Sequence, residues 1–223
     1  ENVRFDFNIQ RAYRIGQRDL PGAFLFVASD RAQRVSSASG TQSEVSLIPC
    51  TRKKEDPMNP NVTLTLATEK DAELIHLMKY EAFLPLHEIY RDDETSPVKE
   101  PIEKVIAILE RKASEYYIIK ADGLPVGAIR VCHRKRDYEP PAGEVPAYIS
   151  PLFILPRFQN KGIAQIAVKK VFDLYPEATV WRLDTIKQEA GNCHFYEKLG
   201  FVRTGVEHVV NDRMTLIDYE KKM

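Results

Sequence analysis

The sequence has no excess of charge of either sign. Lysine and arginine together number 32, aspartate and glutamate also number 32, and the formal net charge is zero. Domains that bind nucleic acid usually carry a basic surplus, so we expect no nucleic-acid partner. Hydrophobic residues make up 43% of the chain and charged residues 29%. This balance excludes a disordered or fibrous protein and predicts a globular one.

Long apolar runs are also absent. In the first half of the chain the longest is Ala23–Ala28, which is far too short to cross a bilayer. The polar residues 29–31 follow it where a signal peptide would have a small-residue cleavage site. We therefore expect no membrane segment and no signal peptide.

Cysteine is scarce. The chain has three cysteines, Cys50, Cys132 and Cys193. Their odd number and wide separation favour reduced thiols in the cytoplasm over a disulfide framework, and no pair has the spacing of a zinc site. The histidines are isolated in the sequence, so we expect no bound metal.

The chain changes character near residue 62. Residues 1–61 have no sustained helical or strand periodicity, and residues 34–43 have the composition of a linker. We predict a poorly structured extension over residues 1–61 and a folded domain over residues 62–223. The alternative, a docking or regulatory arm, has no residue in this segment that supports it.

From Val62 onward the hydrophobic periodicity alternates between strand and helix patterns. The predicted order is one strand, two helices, three strands, a helix, a strand, a helix and two strands. The first helix is predicted over residues 71–84, and the helix after the central strands begins at Gly162. This order predicts an α+β (mixed α/β) domain, a sheet with helices on its faces.

One polar loop has the features of a phosphate-binding site. A strand is predicted to end near Pro156, and a helix begins at Gly162. The first N–H groups of a helix have no partner within it, and the helix dipole places partial positive charge there. The small residues Gly162 and Ala164 would let an anion approach these groups, and Lys161 adds a full charge. Many helix starts look similar and bind nothing, so this feature alone leaves both interpretations open.

A second segment makes the pattern specific. Residues 195–201, Phe-Tyr-Glu-Lys-Leu-Gly-Phe, follow the loop after one intervening strand. Together with Gln159-x-x-Gly162-x-Ala164, in this order, they resemble the two signature segments of the GNAT N-acetyltransferases. The resemblance covers roughly residues 62–223. It implies the GNAT acyl-CoA N-acyltransferase fold, a central mostly antiparallel sheet with helices on both faces, and acetyl-CoA as co-substrate without a metal.

The resemblance also implies which residues hold acetyl-CoA. Backbone N–H groups of the loop and helix start would bind its pyrophosphate; these belong to Gln159, Asn160, Lys161, Gly162, Ile163 and Ala164. The backbone of Phe153 and Ile154 would bind the pantetheine arm in the manner of an added strand. For these two residues, ordinary core packing of the side chains is compatible with that role.

Tyr196 is the candidate catalytic residue. When an amine attacks the thioester, coenzyme A leaves as a thiolate, and a free thiol has a pKa of about 8.5 against about 10 for a phenol. A positioned tyrosine can therefore hydrogen-bond or protonate the sulfur, and the resemblance assigns this role to Tyr196. The alternative is a tyrosine that only packs in the core. Cys193 and His194 form no hydrolase pair, because helix neighbours point about 100° apart.

The sequence departs from the family at one position. Many members have asparagine seven residues before the tyrosine, where this chain has Glu189. Asn192, four residues before Tyr196, is the alternative contact to the cofactor from the next helical turn. No acid lies within the strand that precedes the loop, and the general base stays unassigned among Glu81, Glu88 and Glu144.

Two functions remain open at this stage. The first is an N-acetyltransferase that acts on a primary amine of a small molecule or peptide, as a monomer or homodimer. The second is a binding module with the same fold that senses acyl-CoA without turnover. The acidic segment 92–94 would suit a cationic amine, although charged loops are usually only solvated.

Overall fold

The structure, a computed structural model, describes residues 60–111, 113–133 and 139–223. The prediction for residues 1–61 therefore falls almost entirely outside the described residues, and the domain boundary stays a prediction. At the start of the described residues, Asn61 donates its backbone N–H to Asp122 Oδ1 at 2.9 Å. The Asp122 N–H in turn donates to the Asn61 carbonyl at 3.0 Å. These bonds fix the entry to the first strand.

The order of elements is the one that the periodicity predicts. The strands are β1 (Val62–Leu66), β2 (Ser114–Ala121), β3 (Leu124–Cys132), β4 (Pro146–Ile154), β5 (Val180–Ile186), β6 (Val202–Val209) and β7 (Thr215–Lys222). The helices are α1 (Ala72–Tyr90), α2 (Ile102–Leu109), α3 (Ile163–Leu174) and α4 (Ala190–Lys198). Within the described residues the strands form one sheet in the order β1-β2-β3-β4-β5-β7-β6. Every neighbouring pair is antiparallel except β4 and β5.

Helices cover the sheet on both faces, and each face has its own apolar core. Alternation along β2 shows the division, because Ile118 packs in the core under α1 and α2 while Ile119 packs in the core under α3 and α4. The first core includes Ile75 of α1 and Val105 of α2. The second core includes Val168 of α3 and residues of α4, β5 and β7. The mixed fold with helices on both faces is therefore confirmed.

Helix α1 is longer than the sequence predicts. The prediction ends it at residue 84, but it continues through Pro85 to Tyr90. A proline in a helix costs one hydrogen bond and a steric clash, and here tertiary contacts on both sides of it oppose that cost. Phe83 packs edge-on against Phe153 with ring centres 5.9 Å apart, and Tyr90 is buried. The helix ends at Arg91, which adopts the left-handed conformation.

A buried ion pair joins α1 to the entrance of α2. Lys79 is 2% exposed and donates to Glu100 Oε1 at 2.7 Å. Burial lowers the pKa of Lys79, while the hydrogen bond to Glu100 opposes that shift. Because a buried charge without a partner is strongly destabilising, the pair fixes α1 relative to α2. Among the residues that the structure describes, no helix is long and apolar enough to span a membrane.

The close approach of β3 and β4 depends on Gly127. A Cβ at this position would lie 2.2 Å from the Phe153 carbonyl oxygen, so Gly127→Ala must push the two strands apart. We expect it to lower the free energy of unfolding by about 1–3 kcal/mol, the usual cost of overpacking. Urea denaturation measures this change.

The control for this prediction is Gly191→Ala in α4. Here a Cβ would have open space around it, and alanine favours helix over glycine by up to about 1 kcal/mol. The two glycine-to-alanine changes should therefore shift the urea midpoint in opposite directions. Equal midpoints for Gly127→Ala and the wild-type protein would contradict the close approach.

Candidate functional site

Strands β4 and β5 part soon after they begin. They are paired in parallel over three positions only, of which the last joins Tyr148 to Arg182. Beyond this point β4 stays paired with β3, and β5 stays paired with β7 along its whole length. A gap in the pairing therefore extends through the middle of the sheet from this point to Ile154 on β4 and Ile186 on β5.

The gap exposes backbone groups of β4. The Leu155 N–H donates to the Val126 carbonyl of β3 at 2.8 Å. Because backbone direction alternates along a strand, Phe153 also turns its N–H and C=O toward β3, whereas Leu152 and Ile154 turn theirs toward β5. The two residues predicted to bind the pantetheine arm therefore differ. The backbone groups of Ile154 face the gap, whereas those of Phe153 face β3 and its side chain is buried. Sequence reasoning missed Leu152, because its direction depends on the pairing register.

The loop after β4 is held against the strand end by Gln159. Its side chain donates Nε2–H to the Ile154 carbonyl at 2.9 Å. Asn160 and Gly162 have positive φ, 60° and 74°, so two residues of this loop adopt the left-handed conformation before α3 begins. Buried Ile163 then fixes the first turn of that helix in the core.

The start of α3 offers a set of unpaired N–H groups. The first helical hydrogen bond of α3 runs from the Ile166 N–H to the Gly162 carbonyl. The N–H groups of residues 160–165 have no acceptor among the residues that the structure describes. A Cβ at Gly162 would meet nothing within 4 Å, so the space in front of these groups is open. The open N–H groups include those of the predicted cradle residues Asn160, Lys161, Gly162, Ile163 and Ala164, which together can hold an anion. The Gln159 N–H is not among them, because it donates to the Pro156 carbonyl at 3.2 Å.

Two cations flank this loop. Lys161 Nζ lies 5.3 Å from the centre of the Phe158 ring, and the Arg157 guanidinium carbon lies 5.2 Å from it. Arg157 is also bound to Glu81 of α1. Lys161 is exposed, so its charge is available to an anion at the helix start.

Tyr196 lies in the core face of α4. It is 9% exposed, and its ring packs against Phe195, Phe201 and Tyr219 with centres 5.0 to 6.3 Å apart. Helical side chains point back toward the helix N-terminus. In α4 that is the end attached to β5 at the open side of the gap.

Burial raises the pKa of the Tyr196 phenol above its usual value, and the nearby charge of Asp184 raises it further. Removing a group from water disfavours its charged form. The hydroxyl therefore stays protonated throughout the neutral range, which is the form that can donate to a sulfur atom. The packing of the ring is compatible with both interpretations of Tyr196, and its catalytic role stays a prediction.

The acids considered as bases are mostly engaged elsewhere. Glu81 binds Arg157, and Glu144 accepts from Arg182 at 2.6 Å. Asp92, in the acidic segment, is buried. Its carboxylate accepts hydrogen bonds from the N–H groups of Glu94 and Thr95 and from the Thr95 hydroxyl. The charge of this segment is therefore partly used to hold its own turn.

The two positions at the start of α4 differ in their contacts. Asn192 is exposed in the first turn, and its backbone N–H donates to the Glu189 carbonyl at 3.0 Å. Glu189 is half-buried, and its side chain accepts a hydrogen bond from Tyr90. The contact of Asn192 with a cofactor stays a prediction. In the described ranges no group of three metal-binding side chains could hold an ion.

The site combines a gap with unpaired strand groups, a helix start that can bind an anion, and a protonated phenol on the next helix. These features suit an extended acyl carrier that contains amide groups and a diphosphate. The comparisons with known proteins agree with this class. The model of the acetyltransferase (GNAT) family matches residues 83–201, more than half of the chain, and the chain belongs to that family. No curated protein sequence matches it.

Solved structures of acetyltransferases share the fold. Aminoglycoside acetyltransferase AAC(6')-Ib, solved with coenzyme A, is 20% identical, with a TM-score of 0.55 over 73% of this chain and 95% of its own. MccE, the microcin C7 self-immunity acetyltransferase solved with acetyl-CoA and AMP, is 19% identical, with a TM-score of 0.54 over 74% and 94%. A Salmonella typhimurium enzyme that modifies the N-terminal serine of a ribosomal protein is 16% identical, with a TM-score of 0.55 over 75% and 98%.

The family defines the reaction class. GNAT proteins are acetyl-CoA-dependent N-acetyltransferases, so the chain is an acyltransferase with acetyl-CoA as its co-substrate. The site residues described above fit this co-substrate on their own geometry. The open N–H groups before α3 suit a diphosphate, and the strand groups in the gap suit an amide-bearing arm.

The cradle can be tested with Gly162→Glu. Its side chain would enter the open space before α3 and bring negative charge to the anion site, so calorimetry should detect no acetyl-CoA binding at concentrations that saturate the wild-type protein. Circular dichroism should remain native.

Gly123→Glu is the matched control, because Gly123 also has positive φ (83°) and open surroundings but lies in the β2–β3 turn. It carries the same backbone strain and the same charge, and it should bind acetyl-CoA normally. Intact binding in Gly162→Glu would refute the assignment of the cradle.

Proposed function

We propose that this enzyme transfers the acetyl group of acetyl-CoA directly to a primary amine of a small molecule or a peptide. The observation that carries the proposal is the buried, protonated Tyr196 on the helix that starts at the open end of the gap. The pyrophosphate cradle at the start of α3 supports it, because it would anchor the donor beside the same gap.

The reaction needs one bond to form and one to break. The amine nitrogen bonds to the thioester carbonyl carbon, the carbon–sulfur bond breaks, and the sulfur leaves with the electron pair. The Tyr196 hydroxyl donates a hydrogen bond or its proton to that sulfur and recovers a proton from solvent. The amine loses its proton to water, and the products are an amide and coenzyme A.

The class of amine is part of the proposal. Enzymes with a similar fold act on aminoglycosides and on the N-terminus of a protein. Both classes of acceptor therefore belong in the assay. We also propose that the enzyme works in the cytoplasm, because Cys132 and Cys193 are free and buried thiols.

The test begins with release of coenzyme A thiol in the presence of acetyl-CoA and a panel of amines. The panel contains polyamines, aminoglycosides, amino acids and peptides with free N-termini. Turnover that depends on one of them establishes the acetyl transfer. Acetyl-CoA binding without turnover on any acceptor would instead favour the sensing module.

With an acceptor in hand, Tyr196→Phe tests the phenol. The ring keeps its packing, so folding and acetyl-CoA affinity should persist, while kcat should fall by about 10²-fold, the low end of general acid effects. Tyr117→Phe is the control. It removes a hydroxyl that bonds to Tyr175 at 2.8 Å, away from the gap, and should leave kcat unchanged. A wild-type kcat in Tyr196→Phe would assign Tyr196 to packing alone.

A further inference from the structure

One residue of α1 is bound to two elements on the far side of the gap. Helix α1 packs on β3 and β4, in the half of the sheet that precedes the gap. Its last residue, Tyr90, donates its hydroxyl to Glu189 Oε1 at 2.6 Å. Glu189 directly precedes α4 and follows β5, in the other half of the sheet. The bond therefore connects the two halves where β4 and β5 no longer pair.

A second bond reaches the same residue. Asn211, in the turn between β6 and β7, donates Nδ2–H to the Tyr90 carbonyl at 3.0 Å. Its Oδ1 accepts from the N–H groups of Arg213 and Met214 at 2.8 and 2.9 Å. The side chain of Asn211 thus holds its own turn and the end of α1 at once.

These bonds bear on Tyr196 because α4 is held at both of its ends. At the first end, Glu189 accepts from Tyr90, and its carbonyl accepts the N–H groups of Asn192 and Cys193. At the last end, Glu197 accepts from the Tyr219 hydroxyl at 3.0 Å and is paired with an arginine of β6. Tyr196 lies between the two ends, so its position depends on both.

The Tyr90 bond persists over the working range of pH. Burial raises the pKa of Tyr90 to about 12, and the hydrogen bond to Glu189 contributes to the rise. A phenol with a raised pKa remains a donor until the pH approaches that value. The connection between α1 and α4 is thus intact wherever an acetyl transfer would be assayed.

We propose that Tyr90, Glu189 and Asn211 form a clasp across the open end of the gap, and that Tyr90 and Glu189 are positioning residues for the transfer. The clasp fixes the start of α4 against α1 and so sets where the Tyr196 hydroxyl stands relative to the thioester. The proposal rests on the proposed function. In this proposal Glu189 acts as a hydrogen-bond acceptor for Tyr90, and its negative charge is not required.

The variants separate the hydrogen bond from the charge. Tyr90→Phe keeps the ring and the Glu189 carboxylate but removes the bond. Glu189→Gln removes the charge but keeps an oxygen that can accept from Tyr90, and Glu189→Ala removes both. Asn211→Asp keeps the oxygen that holds the turn but loses the donor to the Tyr90 carbonyl.

We expect Tyr90→Phe and Glu189→Ala to lower kcat by about 10-fold or more, since small displacements in a reacting site are costly. The double variant should be no worse than either single one, because both remove the same bond. Glu189→Gln should stay near the wild-type rate. The acetyl-CoA Kd should be unchanged in all of them, as the cradle lies at the start of α3.

Two kinetic results would overturn the clasp. The first is a wild-type kcat in Tyr90→Phe. The second is a Glu189→Gln variant as impaired as Glu189→Ala, which would show that Glu189 acts through its charge. A loss of melting temperature in Tyr90→Phe without any loss of kcat would assign the bond to stability alone, and it would also overturn the proposal.

Hydrogen exchange provides a measurement that needs no acceptor. Amides of residues 190–198 should exchange faster in Tyr90→Phe and Asn211→Asp than in the wild-type protein, while those of α3 should not change. Equal exchange in α4 would contradict the clasp even if the enzyme is active. Faster exchange in an enzyme that acetylates none of the amines would support the clasp and reject the proposed function.

Discussion

The parting of β4 and β5 after three paired positions is the constraint on which the site depends. Backbone groups inside a protein need partners, and beyond Tyr148 and Arg182 the two central strands do not supply them to each other. Gln159 satisfies one of these groups, the Ile154 carbonyl. The remaining groups on that side of β4 face a gap that an extended, amide-bearing molecule can fill as an added strand.

The strands on both flanks of the gap are held in place by contacts of their own. On one flank the ladder with β3 is close enough to require a glycine at position 127, beside the Phe153 carbonyl oxygen, and the ion pair of Lys79 and Glu100 holds α1 and α2 over that face. On the other flank β5 pairs with β7 along its full length. The apolar core under α3 and α4 extends across both halves, and further contacts connect them at the two ends of the gap. Paired strands at one end and the contacts of Tyr90 at the other provide this connection.

Charge is distributed so that the anion site stays positive while acids are paired or remote. Arg157 binds Glu81, and Lys161 remains exposed beside the open N–H groups of the helix start. Burial keeps Tyr196 neutral, which suits a donor to a departing thiolate. Glu189 is the acid nearest in sequence to the start of α4, and its bond with Tyr90 makes it part of the framework of the site.

The sequence by itself determined the order of elements, the loop from Gln159 to Ala164 and the candidate role of Tyr196. These are local features, because a strand, a tight loop and a helix start each depend on residues that are consecutive in the sequence. The tertiary structure decided the rest. Pro85 remains inside α1 because Phe83 and Tyr90 pack on either side of it, and Leu152 faces the gap because of the register with β3. Tyr90 and Glu189 are 99 residues apart, and no local pattern predicts a contact that exists only once the two halves of the sheet have been assembled.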